Sequence, residues 1–207
     1  MRKTDLKWRF ARIIRLTIMS FVPIMLMAVN LSAGAGVEQT GIDFRVNPVF
    51  WLSLKKYAGR EVADFLYKGP LSKQLGSVFE APGDPPSIKV RSDRFLATGF
   101  RSQDATNRGA AIVDKAAHIY LAAIATAATY WHGKLLGSPA QLRILVRDPK
   151  NLRYLPAIEH WADAQLDMRG YVLTLYNLNC KERDIGQCKM PIPAGTISPA
   201  GAALATY

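Results

Sequence analysis

The feature that most constrains this chain is a change of hydrophobic period after a proline cluster. Ala81-Pro82-Gly83-Asp84-Pro85-Pro86 places three prolines in five residues, a composition that forbids helix and central strand alike. Beyond it, bulky residues come in short runs separated by polar turn residues. Ile88-Lys89-Val90 predicts a short strand, Ser92-Asp93-Arg94 a turn, and Phe95 to Phe100 a second strand. A polar loop from Arg101 to Gly109 follows, then a third strand at Ala110 to Val113, a turn at 114–117, and a fourth strand at His118 to Ile124. Short strands on short connections give an antiparallel meander. One rival stays open. The stretch from Ala110 to Thr129 is rich in alanine, the best helix former, and propensity alone selects a single helix from Arg108 to Trp131.

The flanks read as helical. Residues 36–47 form an irregular lead-in, and Asn47-Pro48 is a helix start, with Asn as N-cap and Pro at the first position. Val49, Phe50, Leu52, Leu54 and Tyr57, then Val62, Phe65 and Leu66 after Gly59, keep a helical period. They predict one bent helix or two short ones, ended by Gly69-Pro70, with Leu71 to Pro86 a long connection. Later, Ser138-Pro139 punctuates the chain, and Ala140 to Val146 suits helix or strand. Tyr154 to Met168 predicts a helix with Leu155, Ile158, Trp161, Ala162 and Leu166 along one side, and Tyr171 to Tyr176 a strand. The expected class is α+β, an antiparallel β-meander with flanking helices.

Before all this stands an address. Arg2, Lys3, Lys7, Arg9, Arg12 and Arg15 precede an apolar run from Leu16 to Val29, which closes on Ala33-Gly34-Ala35. Basic, apolar and small-residue zones in that order are the mark of a secretory signal peptide. The run is shorter than the ~20 residues that span a bilayer comfortably, and Pro23 weakens it as a helix. The expected organisation is therefore a signal peptide at 1–35, one α+β domain at 36–190 and a flexible tail at 191–207. An uncleaved anchor, oriented by its basic end, is the alternative. The expected location is the bacterial periplasm, or the inner membrane with the domain facing the periplasm. Membrane contact is expected only through that N-terminal segment.

The whole chain carries a net charge of +11; residues 1–35 hold six cations and one anion, so the remainder carries +6. A moderate positive charge attracts acidic partners. No basic block, zinc spacing or RNP-like aromatic motif accompanies it, so nucleic acid is not expected as a partner. In an exported protein, Cys180 and Cys188 are expected to pair across their polar loop. His118, His132 and His160 show no metal-ligand spacing. Asp163 and Asp167 share a helical face, which is not enough to argue a glycosidase pair. There is no Gly-x-Ser-x-Gly elbow and no glycine-rich phosphate loop. The expectation is a binding protein without enzyme activity or cofactor.

The polar loop between the second and third strands is the candidate site. A rigid hairpin lowers the entropy lost when its loop enters a partner's cleft. The order of features from Trp51 to Ile124 resembles the inhibitor of vertebrate lysozyme family of bacterial periplasmic proteins. There a signal peptide, an N-terminal helix, a Pro-containing connection and a strand lead to a protruding loop with a Cys-Lys-Pro-His-Asp-Cys motif, followed by a hairpin. Phe95 to Gly99 matches the strand, Phe100 to Ala105 the six-residue motif, Ala110 to Ile124 the hairpin, and Trp131 with Gly133 and Pro139 a later aromatic-Gly-Pro segment. Phe100 and Ala105 replace both motif cysteines, Gln103 stands for the histidine, Arg101 for the lysine, and Asp104 is kept. The resemblance implies a muramidase partner contacted through Arg101, Gln103, Asp104 and Arg108. A periplasmic accessory of an envelope, conjugation or secretion apparatus is the second expectation.

Overall fold

The computed structural model describes residues 38–132, 134–166 and 170–192; the expected signal segment and the tail past Ile192 lie outside the described residues. The chain enters as a two-residue strand, β1 (Glu38–Gln39), and a 3-10 turn at Phe44–Val46. Helix α1 (Pro48–Ala58) follows. Its N-cap is Asn47, whose side-chain oxygen accepts from Val49 N at 2.9 Å, satisfying one of the helix's free donors. It stops at Gly59, which takes φ 72°, a conformation that is cheap only without a Cβ.

The helix does not resume. Residues 62–70 form a hairpin of β2 (Val62–Asp64) and β3 (Lys68–Pro70) instead. The cause lies further on, in helix α2 (Leu71–Ser77), which replaces the start of the expected long connection. Gln74 of α2 is fully buried. Its oxygen accepts from Phe65 N and Leu66 N at 3.2 and 3.0 Å, and its amide donates to Ala63 O and Gly69 O at 2.7 and 3.1 Å. One side chain thus satisfies four backbone groups and holds the hairpin shut.

The meander then runs through β4 (Ala81–Arg91), β5 (Arg94–Arg101), β6 (Asp104–Val113) and β7 (Ile119–Thr126). The single-helix alternative for 108–131 is therefore overturned. The prolines do not end the strand: β4 contains them, with a register shift against β5 between Pro82 and Ser87. They are tolerated because β4 has β5 on one side and only the two residues of β1, at Ile88 and Lys89, on the other.

A small ribbon, β8 (Thr129–Trp131) and β9 (Lys134–Leu136), leaves the sheet before β10 (Ala140–Val146). A 3-10 turn at Pro149–Tyr154 leads into α3 (Leu155–Gln165), shorter than the helix expected over 154–168. The chain returns as β11 (Tyr171–Asn177) parallel to β10, and ends in β12 (Lys189–Met190). The eight-stranded sheet has the order β1-β4-β5-β6-β7-β10-β11-β12. All its other neighbouring pairs are antiparallel. The fold is α+β, with a parallel crossover that the sequence did not predict.

Alternate residues of the central strands bury in opposite directions. Phe95, Ala97, Ala111, Val113, Ala122, Ile124 and Leu145 pack with Phe50, Leu54 and Tyr57 of α1 and Leu71 and Leu75 of α2. Leu96, Ile112, Leu121, Ala123, Leu142 and Ile144 pack with Leu155, Ile158 and Trp161 of α3. The sheet is covered on both faces, so the middle of its central strands, at 110–113 and 121–125, is apolar on both. The alanines at 110, 111, 122 and 123 are fully buried; they are sheet residues chosen for close packing. The Cys180–Cys188 disulfide is formed and closes the loop between β11 and β12.

Candidate functional site at the β5–β6 tip

The expected loop at 101–108 is a tight hairpin. Arg101 pairs with Asp104 in the strand register, so only Ser102 and Gln103 lie between the strands. Residues 104–108 belong to β6 and pair with β5 and β7.

Both sides of the tip are braced. Glu80, in the link from α2 to β4, accepts on Oε2 from Ser102 N at 3.2 Å and from Ser102 Oγ at 2.8 Å. Its own backbone carbonyl accepts from Arg45 Nη1 at 2.9 Å, and Arg45 pairs with Asp43 at 2.6 Å. On the other side, Asp104 accepts from Thr106 N at 3.1 Å, from the Thr106 hydroxyl and from the Asn107 amide. These bonds, with the Thr106 hydroxyl foremost, outweigh the opposing effect of burial and hold the Asp104 carboxyl below its ordinary value; Arg101 adds to them.

The bracing continues across the sheet. Asn107, Thr126 and Gln141 are successive cross-strand partners on β6, β7 and β10. The Thr126 hydroxyl donates to Asn107 Oδ1 at 3.0 Å and accepts from Arg143 Nη1 at 3.0 Å. Arg143 also reaches Gln141 and lies over the Phe65 ring, 5.4 Å from its centroid.

The four expected contact residues therefore have different fates. Gln103 is exposed at the apex; Arg101 and Asp104 are half-buried on its flanks. Arg108 is turned elsewhere: its guanidinium donates to Ala105 O and to Gln165 of α3. It lines a recess of about 200 Å³ with Asp84, Phe100 and Trp161, so it ties the hairpin to α3. The Glu80 brace was not anticipated, since nothing local relates residues 22 positions apart.

A second recess, of about 370 Å³, gathers Ser53, Lys56, Tyr57, His118 and Arg147. Asp114 Oδ2 lies 3.1 Å from His118 Nδ1. Among the described residues no hydrogen bond joins Ser53 to His118. The Asp163–Asp167 pairing expected on one helical face lies partly outside the described residues, at Asp167. Comparison with family models, curated proteins and solved structures finds no match for this chain.

Proposed function

We propose that the chain is an exported, non-enzymatic binding protein that docks its β5–β6 tip into the cleft of a protein partner, a muramidase of the lysozyme type. The observation that carries this reading is the double brace. Glu80 fixes Ser102 and the Thr106–Asn107 pair fixes Asp104, leaving Gln103 as the projecting side chain between two immobilised neighbours. A probe ordered before binding loses little entropy on docking. Hydrogen bonds from strand 104–107 thus replace the disulfide that stiffens the corresponding loop in the lysozyme-inhibitor family. Gln103 offers both a donor and an acceptor to the carboxylates of a muramidase cleft.

The test is calorimetric titration of the purified protein against a panel of lysozymes, with cell-wall lysis as the activity readout. Binding that Gln103→Ala weakens about tenfold, about 1.4 kcal/mol for one interfacial hydrogen bond, supports the reading. No heat and no loss of lysis across the panel would remove it. The second reading, an accessory of an envelope apparatus, is favoured by the exposed apolar side chains of the β8–β9 ribbon. Its sign is stable co-purification with membrane proteins and an uncleaved N-terminus.

A further inference from the structure

The register of β4 against β5 opens a small hollow beside α3. Pro82 pairs with Gly99 and Ser87 with Ala97, so the segment from Gly83 to Pro86 stands opposite Thr98 alone. It has to bow out, and the Thr98 hydroxyl holds it by donating to Pro85 O at 2.5 Å. Between this bow and the last turn of α3 lies the recess of about 200 Å³ that Arg108 lines.

The polar groups of the recess are only partly spent. Trp161 is 4% exposed, and its indole N–H finds no partner among the described residues, whereas a buried indole normally donates. Asp84 is exposed, and among the described residues its carboxylate makes neither hydrogen bond nor ion pair. Gln165 accepts from Arg108 on its oxygen, which leaves its amide N–H groups to donate. Arg108 donates from Nε to Ala105 O and from Nη1 to Gln165, which leaves Nη2. Phe100 and Ala105 supply apolar wall.

These leftover groups select a ligand. One carboxylate and one guanidinium balance in charge, so neither a bare anion nor a bare cation is drawn in. A carboxylate ligand would seek two guanidinium nitrogens at once, and here Nε and Nη1 are already committed. An uncharged ring bearing hydroxyls suits what remains. Each hydroxyl both donates and accepts, so it can give to Asp84 and take from Nη2, the Gln165 amide or the indole, while the C–H face of the ring meets Phe100. At about 200 Å³ the recess is smaller than the ~300 Å³ at which pockets for drug-sized ligands begin, and it has room for one such ring.

We infer that this recess is a subsite for one neutral sugar ring, free or at the end of a glycan chain, with Asp84 as acceptor and Trp161, Gln165 and Arg108 as donors. The inference goes beyond docking of the β5–β6 tip and stands whether or not Gln103 meets a muramidase.

The test is a titration of the full chain, carrying isotope-labelled tryptophan, with glucose, N-acetylglucosamine and its linear trimer chitotriose, followed by NMR. The indole N–H signal of Trp161, assigned by its loss in Trp161→Phe, should shift and saturate with a dissociation constant on the order of 1 mM. Trp51, whose indole donates to Arg45 O at 2.7 Å, and the exposed Trp131 should not respond. Asp84→Ala should weaken binding about tenfold, and Asp84→Asn, which keeps one acceptor oxygen, by less, each with an otherwise unchanged amide spectrum. Chitotriose that binds as N-acetylglucosamine does marks a site for chain ends, and binding of the single sugars alone marks a site for free sugar. An indole signal that no sugar moves, a response confined to Trp131, or an affinity that survives both Asp84 substitutions overturns the inference. A Trp161 signal that answers to the zwitterions glycine and alanine in place of sugars overturns it too.

Discussion

Gly99 of β5 and Gly109 of β6 face one another across the strand pair, and both lie beneath Val78 and Phe79, between α2 and β4. A Cβ on Gly99 would stand 2.9 Å from Phe79 Cα, and one on Gly109 would stand 2.7 Å from Val78 Cγ2 and 2.9 Å from Val78 O. The paired glycines let this segment settle onto the sheet. Glu80 follows Phe79 directly, so the same close approach delivers the carboxylate that braces Ser102.

Gly109→Ala should therefore cost about 1–3 kcal/mol by overpacking, read as a lower urea midpoint with an unchanged slope. Gly76→Ala is the contrasting substitution. It sits inside α2 with no atom within 4 Å of the new Cβ, so it should gain up to about 1 kcal/mol.

Gln74→Leu keeps the volume and removes the polar atoms. Four backbone groups of the 62–70 hairpin then lose their partner. At about 1–3 kcal/mol for each buried group left unpaired, the loss should exceed about 3 kcal/mol in chemical denaturation. Amide exchange at Phe65 and Leu66 should accelerate most.

Two carboxyls should make the fold acid-sensitive. Hydrogen bonds from Thr106 and Asn107 lower Asp104. Burial pushes Asp114 up, but the His118 amide and ring and the Tyr120 hydroxyl outweigh it, and its pKa is also lowered. A carboxyl whose folded pKa lies below its unfolded value, about 3.9, stabilises the fold above that value. The contribution fades as pH falls through the folded pKa. Thermal unfolding followed from pH 7 to pH 2 should show midpoints dropping below about pH 4, and Asp104→Asn should flatten that drop.

Glu159 should act with the opposite sign. It is buried on α3, and burial first, then the charge of Asp163, raises its carboxyl. A raised carboxyl withdraws stability as pH climbs from the unfolded pKa through the folded one. Glu159→Gln should therefore raise the midpoint at pH 7 and lose that advantage near pH 3, measured by scanning calorimetry.

Replacing Cys180 and Cys188 by serine opens a ring of eight-residue separation. Loop entropy assigns such a ring about 2–3 kcal/mol, a fall of roughly 4–12 °C in Tm for a domain of this size. An unchanged Tm would mean that the loop is held by its packing alone.

Local chemistry was legible in the sequence, and long-range satisfaction was not. Asn47-Pro48 and the pairing of Cys180 with Cys188 act within a few residues, and both are present. The meander was readable from the apolar runs Ala110 to Val113 and His118 to Ile124 around a turn at 114–117, although the alanines within both runs hid the alternation because both faces are buried. The hairpin at 62–70 was misread as helix because Phe65 and Leu66 keep a helical spacing, while the deciding atoms belong to Gln74. At the candidate site, the apex residue Gln103 was visible as polar and turn-bound. That Arg108 would be spent on Gln165, and that Glu80 would hold Ser102, depends on contacts 57 and 22 residues apart.

The prolines of β4 guard one border of the sheet. Between Ala81 and Ser87, β4 carries Pro82, Pro85 and Pro86, three positions with no N–H to donate, and the lead-in runs beside it, with Thr40 N donating to Ser87 O and Arg45 to Glu80 O. A neighbouring molecule that tried to zip a strand onto this side would meet both the missing donors and a segment already bonded there. The segment that breaks the hydrophobic pattern of the sequence thus also keeps crowded copies of the protein from fusing sheet to sheet along that side.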